Sequence, residues 1–582
     1  MKFLRNLLAS CLGTGIAFVV VILLFIGFVS LVGNAEKVVV KSNSVLKINL
    51  KKRVQDYAPA NNHPMSGLIE DDRLQMSHIL NAIENAKTDP KIKGISIENL
   101  VVNAGVAQLQ SIRKKLKEFK ESGKFVTAYA DLYTQKNYYL SSVADEVYVL
   151  PFGSVDFRGL STERMFYKDF QEKFGVKMEV VRHGKYKSAV EGYLENEMSE
   201  ANREQITSFL NSIWATFLKD IGESRELSEE NLNQIADELL GRSSDLAIEN
   251  KLIDGGIYKD DYNTKLKELA GVDKINTVSI EDYISSGKGV MEVKGFKNTI
   301  AVIYAQGEML YGKGNEQYIG QESMVKAIKS LRKNKGVKAV VLRVNSPGGV
   351  ALTGDIILQE LNLLKEEKPL VVSMGDVAAS GGYWISAKAD KIFAEPTTIT
   401  GSIGVFGTIP NMSGLASDLG INAEQVATNK QSISYSFYEP MSEAFYEEQK
   451  EGVERVYQQF LEIVAEGRDI SIEEADRIAQ GRVWTGKEAL ENGLVDELGG
   501  LEDAIKAAAL QAEIEGDYRI SEYPRYTQTI NDVLDGFLLV KTKEEILKEE
   551  LGVQNYEIYN EVLKMSRLEG VQALMPYEIV IR

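Results

Sequence analysis

The stretch YWISAKADKIFAEPTTITGSIG, residues 383–404, has a counterpart upstream in YYLSSVADEVYVLPFGSVDFRG, residues 138–159. Tyr383 answers Tyr138, Asp390 answers Asp145, Pro396 answers Pro151 and Gly404 answers Gly159, always 245 positions apart. The match continues on both sides. PGGVALTG (347–354) faces NAGVAQLQ (103–110), and YEPMSEAFYEEQ (438–449) resembles ENEMSEANREQ (195–205). Further on, EALENGLVDELGG (488–500) repeats LAIENKLIDGG (246–256). Chance gives one such pair, not a collinear series, so the chain is a tandem duplication.

Each copy alternates apolar runs with amphipathic ones. In the second copy TIAVIYAQG, VKAVVLRV, PLVVSM and KIFAEP read as strands. SMVKAIKSLRKNKG, LTGDIILQELNLLKEEK and GYWISAKA read as helices between them. Apolar strands without strict alternation, separated by helices, predict an α/β fold with buried sheets. The expected divisions are 1–36 for an N-terminal anchor, 45–290 for the first repeat and 296–525 for the second, with a charged, helical tail over 526–582.

The anchor is read from MKFLRN followed by LLASCLGTGIAFVVVILLFIGFVSLVG, with no charge between Arg5 and Glu36. About 20 apolar residues span a bilayer. A cleaved leader would have a shorter apolar core and a clear small-x-small site, for which GNA at 33–35 is a poor candidate. Lys2 and Arg5 favour a cytoplasmic N-terminus, which puts the body beyond the cytoplasmic membrane, on the periplasmic side. A net charge of -17 over 582 residues argues against nucleic-acid binding. One cysteine (Cys11) and three histidines (His63, His78, His183) leave no cysteine-based metal site and make a multi-histidine centre improbable, so neither metal nor cofactor is expected.

Two loops of the second copy carry the chemistry. GDVAASGGYW (375–384) follows a buried strand and opens a helix, with Ser380 among small residues. A serine there projects its hydroxyl beside free helix N-terminal N–H groups, although GxSxG itself is absent and a helix-capping turn has the same look. One β-α unit earlier lies Asn345-Ser346-Pro347-Gly348-Gly349, whose paired glycines free backbone N–H groups to face a ligand oxygen. Pro-Gly-Gly is also common turn chemistry. Consecutive loops of one sheet open at the same edge, where α/β sites form. A serine nucleophile needs a base, and with so few histidines a lysine can substitute if burial lowers its pKa, although most lysines are solvated surface residues. MEVVRHGKYKSAVEGY offers Lys185 and Lys187 after a β-like run.

GDVAASGGYWISAKADKIFAEPTTITGSIGVFG, preceded by RVNSPGGV, resembles the nucleophile region of the signal peptide peptidase A (protease IV) family. VRHGKYKSAVEGYLENEMS resembles that family's lysine motif in its long, duplicated form, and the likeness covers residues 45 to 525 or so. It implies a tandem duplication of the β-α superhelical domain shared with ClpP and the crotonases. Carried over by motif, Ser380 is the nucleophile, Lys187 the general base and later acid, and Ser402 the residue that orients the lysine. The backbone N–H groups of Gly349 and Gly381 form the oxyanion hole. The resemblance further implies a membrane-anchored homotetramer that degrades cleaved signal peptides and similar apolar peptides. A crotonase-type acyl-CoA enzyme and a non-catalytic membrane scaffold of the same fold are the alternatives. In the first copy Gln135 stands at the Ser380 position and Asn103-Ala104 at Pro347-Gly348. Lys430 stands in the second copy where Lys187 stands in the first, and is expected either to serve a neighbouring protomer's Gln135 position or to be a surface lysine.

Overall fold

The computed structural model describes residues 5–6, 13–18, 20, 38–58, 73–290, 296–430, 432, 435–526 and 571–575. The expected anchor over 1–36 lies mostly outside the described residues, among which no helix is long and apolar enough to cross a membrane.

The first half contributes β1 (Ser44–Ile48), β2 (Arg53–Gln55), β3 (Arg73–Gln75), β4 (Ile92–Ile97), β5 (Phe125–Ala130), β6 (Glu146–Val149), β7 (Lys177–His183), β8 (Gly255–Gly256) and β9 (Asn276–Ser279). The second half begins with β10 (Asn298–Gln306), β11 (Glu308–Leu310), β12 (Tyr318–Gly320), β13 (Val337–Ser346), β14 (Gly348–Val350) and β15 (Leu370–Ala379). It continues with β16 (Lys391–Ala394), β17 (Ile399–Gly401), β18 (Val405–Asn411), β19 (Val483–Thr485), β20 (Glu497–Leu498) and β21 (Tyr518–Tyr523). A last strand, β22 (Val571–Leu574), comes from the tail.

The first sheet runs β8-β6-β5-β4-β1-β9, with every pair parallel. Within the second sheet the path β20-β16-β15-β13-β10-β21 repeats that order strand for strand and is parallel throughout. Helices cover these sheets, so their strands are buried along nearly their whole length, as the unbroken apolar runs require.

The residues that mark the repeat hold the same joints in both copies. The Tyr138 hydroxyl donates to the carbonyl of Leu252 at 2.8 Å, and the Tyr383 hydroxyl to that of Leu494 at 2.9 Å. The Asp145 carboxylate accepts from the Val126 N–H at 2.9 Å, and that of Asp390 from the Leu370 N–H at 2.8 Å. A buried polar group must find its partner. These positions are therefore kept by the joint they make.

The two halves meet closely. The helix Val106–Lys120 of the first half aims its N-terminus at Asp376 on β15, whose carboxylate accepts from the N–H groups of Ala107 (2.9 Å) and Gln108 (3.3 Å). Beside it Asp56 forms a fully buried ion pair with Arg343 at 2.8 Å and accepts from Asn345 at 2.5 Å. The helix Glu200–Arg225 reaches the second half through Ser212, 2.8 Å from the Thr485 hydroxyl.

A third sheet, β12-β11-β14-β22-β18-β7, is built from both halves. Strand β7 leaves its own half to run antiparallel to β18 over seven residue pairs, from Val405 with His183 to Asn411 with Lys177. Of the tail over 526–582, expected to be helical, only residues 526 and 571–575 are among those described. Residues 527–570 lie outside the described residues, but Val571–Leu574 is a strand, held antiparallel to β14 on one side and β18 on the other. Two open strand edges in β14 and β18 offer more backbone partners than a single helical turn could.

Candidate active site

Ser380 sits where β15 ends and the short helix Gly381–Trp384 begins. Its N–H donates to the Gly401 carbonyl at 2.8 Å, and its own carbonyl accepts from the Trp384 N–H at 2.9 Å. The backbone is held at φ 54, ψ -114, a conformation a non-glycine residue adopts only when its surroundings enforce it. Space is made by the glycines after it. A Cβ on Gly382 would stand 2.7 Å from the carbonyl oxygen of Ser346.

Lys187 arrives from the first half. After β7 the chain turns at Gly184 (φ +113) and docks on the second half, where the Tyr186 N–H donates to the carbonyl of Gln480 at 2.8 Å. The lysine stem then passes Gly404 and Gly481. A Cβ on Gly481 (φ +76) would lie 2.6 Å from the Lys187 backbone N, and one on Gly404 would lie 3.2 Å from Lys187 Cδ. Nζ ends 2.9 Å from Ser380 Oγ, 3.0 Å from Ser402 Oγ and 3.0 Å from the Ser402 carbonyl oxygen. Lys187, Ser380 and Ser402 are all completely buried. Burial pushes the lysine well below its ordinary value, because a charged amine removed from water is costly.

Ser402 is fixed through its backbone, at φ 50, with its N–H donating to the Arg482 carbonyl at 2.7 Å. Gly349, on β14 one β-α unit before the serine, has φ +149 and packs so closely on β11 that a Cβ would stand 2.1 Å from the Met309 carbonyl oxygen. The Gly348 N–H is taken by Ser346 Oγ at 3.2 Å. Gly381 occupies the first turn of its helix, where no intrahelical carbonyl reaches its N–H. Of the five residues expected from sequence, Lys187, Ser380 and Ser402 meet at one buried centre, Gly381 directly follows the serine, and Gly349 lies on β14.

His183 takes no part. Its ring stacks on Tyr457 at 3.8 Å between centroids, and Nδ1 lies 2.8 Å from the Glu454 carboxylate. Lys430 is exposed to solvent. In the first copy the equivalent centre is filled. The Gln135 side chain donates to the Gly159 carbonyl at 2.7 Å and accepts from the N–H groups of Arg158 (2.9 Å) and Gly159 (3.0 Å). Lys136 Nζ lies 3.3 Å from the Ala104 carbonyl oxygen, in the counterpart of the Gly348-Gly349 loop. Sequence reading missed Gly481 and the tail strand. A single glycine in IAQGRVW carries no signal of a lysine from the other half passing over it.

The description "Peptidase family S49" matches the chain twice, over residues 118–273 and 362–515. "Protease 4" of Haemophilus influenzae is 34% identical over 87% of this chain and 84% of its own length. "Protease 4" of Salmonella typhi is 33% identical over 92% of this chain and 88% of its own. "Serine protease SPPA, chloroplastic" of Arabidopsis thaliana is 32% identical over 85% of this chain and 74% of its own. With two matched regions on two sheets of the same strand order, the chain belongs to peptidase family S49, as a tandem duplication of its α/β domain.

Proposed function

We propose that this peptidase is a serine endopeptidase working through a dyad of Ser380 and Lys187. The supporting observation is the 2.9 Å contact between Nζ and Oγ, with no water-exposed surface on either residue. A neutral amine has two N–H donors and one lone pair. Three atoms surround Nζ, and the count closes. The lone pair accepts from the Ser380 hydroxyl, while the two N–H groups reach the oxygens of Ser402.

Ser380 Oγ attacks the scissile carbonyl as its proton passes to Lys187. The N–H groups of Gly349 and Gly381 receive the negative charge that develops on the carbonyl oxygen. The lysine then gives its proton to the departing amine, and a water hydrolyses the acyl-enzyme by the same route. The substrates we assign are apolar peptides, cleaved signal peptides among them. The apolar run before Glu36 would anchor the protein in the cytoplasmic membrane with its body on the periplasmic side, and the working form would be a homotetramer. A crotonase-type acyl-CoA enzyme has no use for a lysine against a serine. A non-catalytic scaffold would show the filled centre of the first copy in both.

The test is peptide hydrolysis by the wild type and by Ser380→Ala. The variant is expected to lose about a thousandfold or more in kcat/KM. Equal turnover by both would leave the dyad without a role.

A further inference from the structure

The repeated MSEA motif, Met198–Ala201 in the first copy and Met441–Ala444 in the second, opens a helix of 26 residues in each half. Ser199 and Ser442 cap these helices alike, accepting from the N–H groups of Asn202 and Phe445 at 3.2 Å. The copies then part. Counted from Met198 and Met441, Gln205 of the first copy answers Glu448 of the second. Glu448 is exposed, whereas Gln205 has no solvent-exposed surface. A primary amide is buried where partners meet its donors and its acceptor.

What Gln205 meets is the lysine loop. Its Nε2 donates to the Ser188 hydroxyl at 2.8 Å and to the Tyr186 carbonyl at 3.0 Å, on either side of Lys187, and Asn202 Oδ1 lies 3.2 Å away. Its Oε1 accepts from the Val483 N–H at 3.3 Å. A backbone acceptor at one atom and a backbone donor at the other fix which way the amide points. Val483 begins β19, the edge strand of the second sheet, and pairs with Gly401. The carbonyl just before it, that of Arg482, holds the Ser402 N–H. One side chain thus ties the loop that carries the lysine to the strand that fixes Ser402. Neighbouring Glu204 also bridges the halves, reaching Arg482 at 2.6 Å, but Glu204 is exposed and such pairs contribute little.

The geometry points to Gln205 as the positioning residue of the dyad, the group that holds Lys187 Nζ within reach of Ser380 Oγ and keeps the lysine loop closed against water. The inference rests on the peptidase reading above. Gln205 touches neither reacting atom and acts through the two residues that flank Lys187. In a reacting pair a misplacement of about 1 Å lowers the rate on the order of a hundredfold. Without the amide the loop is free to shift and water reaches the amine, which raises the pKa that burial had lowered. Attack needs the neutral amine, so the rising limb of the pH profile then moves to higher pH.

Steady-state hydrolysis of an exogenous apolar peptide, followed against pH, tests this on the full-length chain with Gln205→Leu, which keeps the bulk and removes both polar atoms. Expected are a kcat lower on the order of 10–100-fold, a KM little changed and a rising limb displaced upward by about one pH unit. Ser212→Ala is the control. It lies two turns along the same helix and gives up the 2.8 Å contact with the Thr485 hydroxyl, so it loosens the same two halves without touching the lysine loop. It is expected to lower Tm and to leave kcat and the limb as in wild type. Wild-type kcat and limb in Gln205→Leu, or the same displacement in Ser212→Ala, overturns the positioning role. Where Gln205→Leu fails to fold, Ser188→Ala decides, since it removes only the 2.8 Å partner. Its limb is expected to move the same way, and an unmoved limb overturns the role too. Equal turnover by wild type and Ser380→Ala instead takes the peptidase reading down, and this inference with it.

Discussion

At the scale of single residues, the proposed dyad depends on making a lysine behave as a base. Lys187 is fully buried, and burial alone drives its pKa down. Between that lowered value and the ordinary lysine value, the unfolded chain binds one proton more than the native one. Stability therefore rises with pH through that window, and below it the native fold carries the cost of burying the amine. Ser402 holds two of the three contacts to Nζ, one of them through its side chain. Ser402→Ala keeps the backbone contact and frees the amine to turn. Steady-state kinetics are expected to show kcat reduced on the order of 10–100-fold with KM little changed, as for a misaimed catalytic group. An unchanged kcat would mean that the Ser402 carbonyl suffices to orient the lysine.

At the scale of elements, the decisive feature is strand β7, which abandons its own sheet to pair with β18 and so delivers the lysine. The tight passage of its loop over Gly481 makes a prediction. Gly481→Val puts a branched side chain at φ +76, 2.6 Å or less from Lys187. It is expected to destabilise the fold by about 1–3 kcal/mol and to lower kcat beyond what the stability loss explains. Thermal melts beside kinetics at low temperature check both, and wild-type kcat in a folded variant would contradict the packing account. Much at this scale was legible in the sequence. The strand order follows from one copy once the repeat is seen, and Ser380 and Lys187 stand in motifs that name their loops. The exchange of β7 between halves was not legible, since KMEVVRH reads as a strand without saying what it pairs with. Nor was β22, because pairing between distant segments leaves no local pattern in VQAL. Gly481 and the buried pair Asp56–Arg343 share that obscurity, as each is explained only by a contact from the other half.

At the scale of the whole molecule, two halves built on one plan divide the work under the proposed mechanism. The second keeps the serine, while the first has filled its own centre with Gln135 and lends a lysine. Their junction carries a pH signature. Burial first, and the neighbouring Asp56 next, push the Asp376 carboxyl up to about 6, against the pull of Arg343 and the N–H groups of Gln108 and Ala107. Between the ordinary carboxylate value, about 4, and about 6, the native state holds a proton that the unfolded chain has lost. This group's contribution to stability therefore falls as pH rises through that window. Asp376→Asn is expected to flatten the slope of Tm against pH there, and calorimetry from pH 4 to 7 reads it. A slope identical to wild type would place the titration elsewhere. The account as a whole stands on an amine from one half activating a hydroxyl of the other. Labelling with a fluorophosphonate, followed by mass-spectrometric mapping, tests that directly. Wild type is predicted to carry one adduct, on Ser380, and Lys187→Met, folded but without its base, to label at least a hundredfold more slowly. An adduct on another residue, or labelling of Lys187→Met at the wild-type rate, would contradict it.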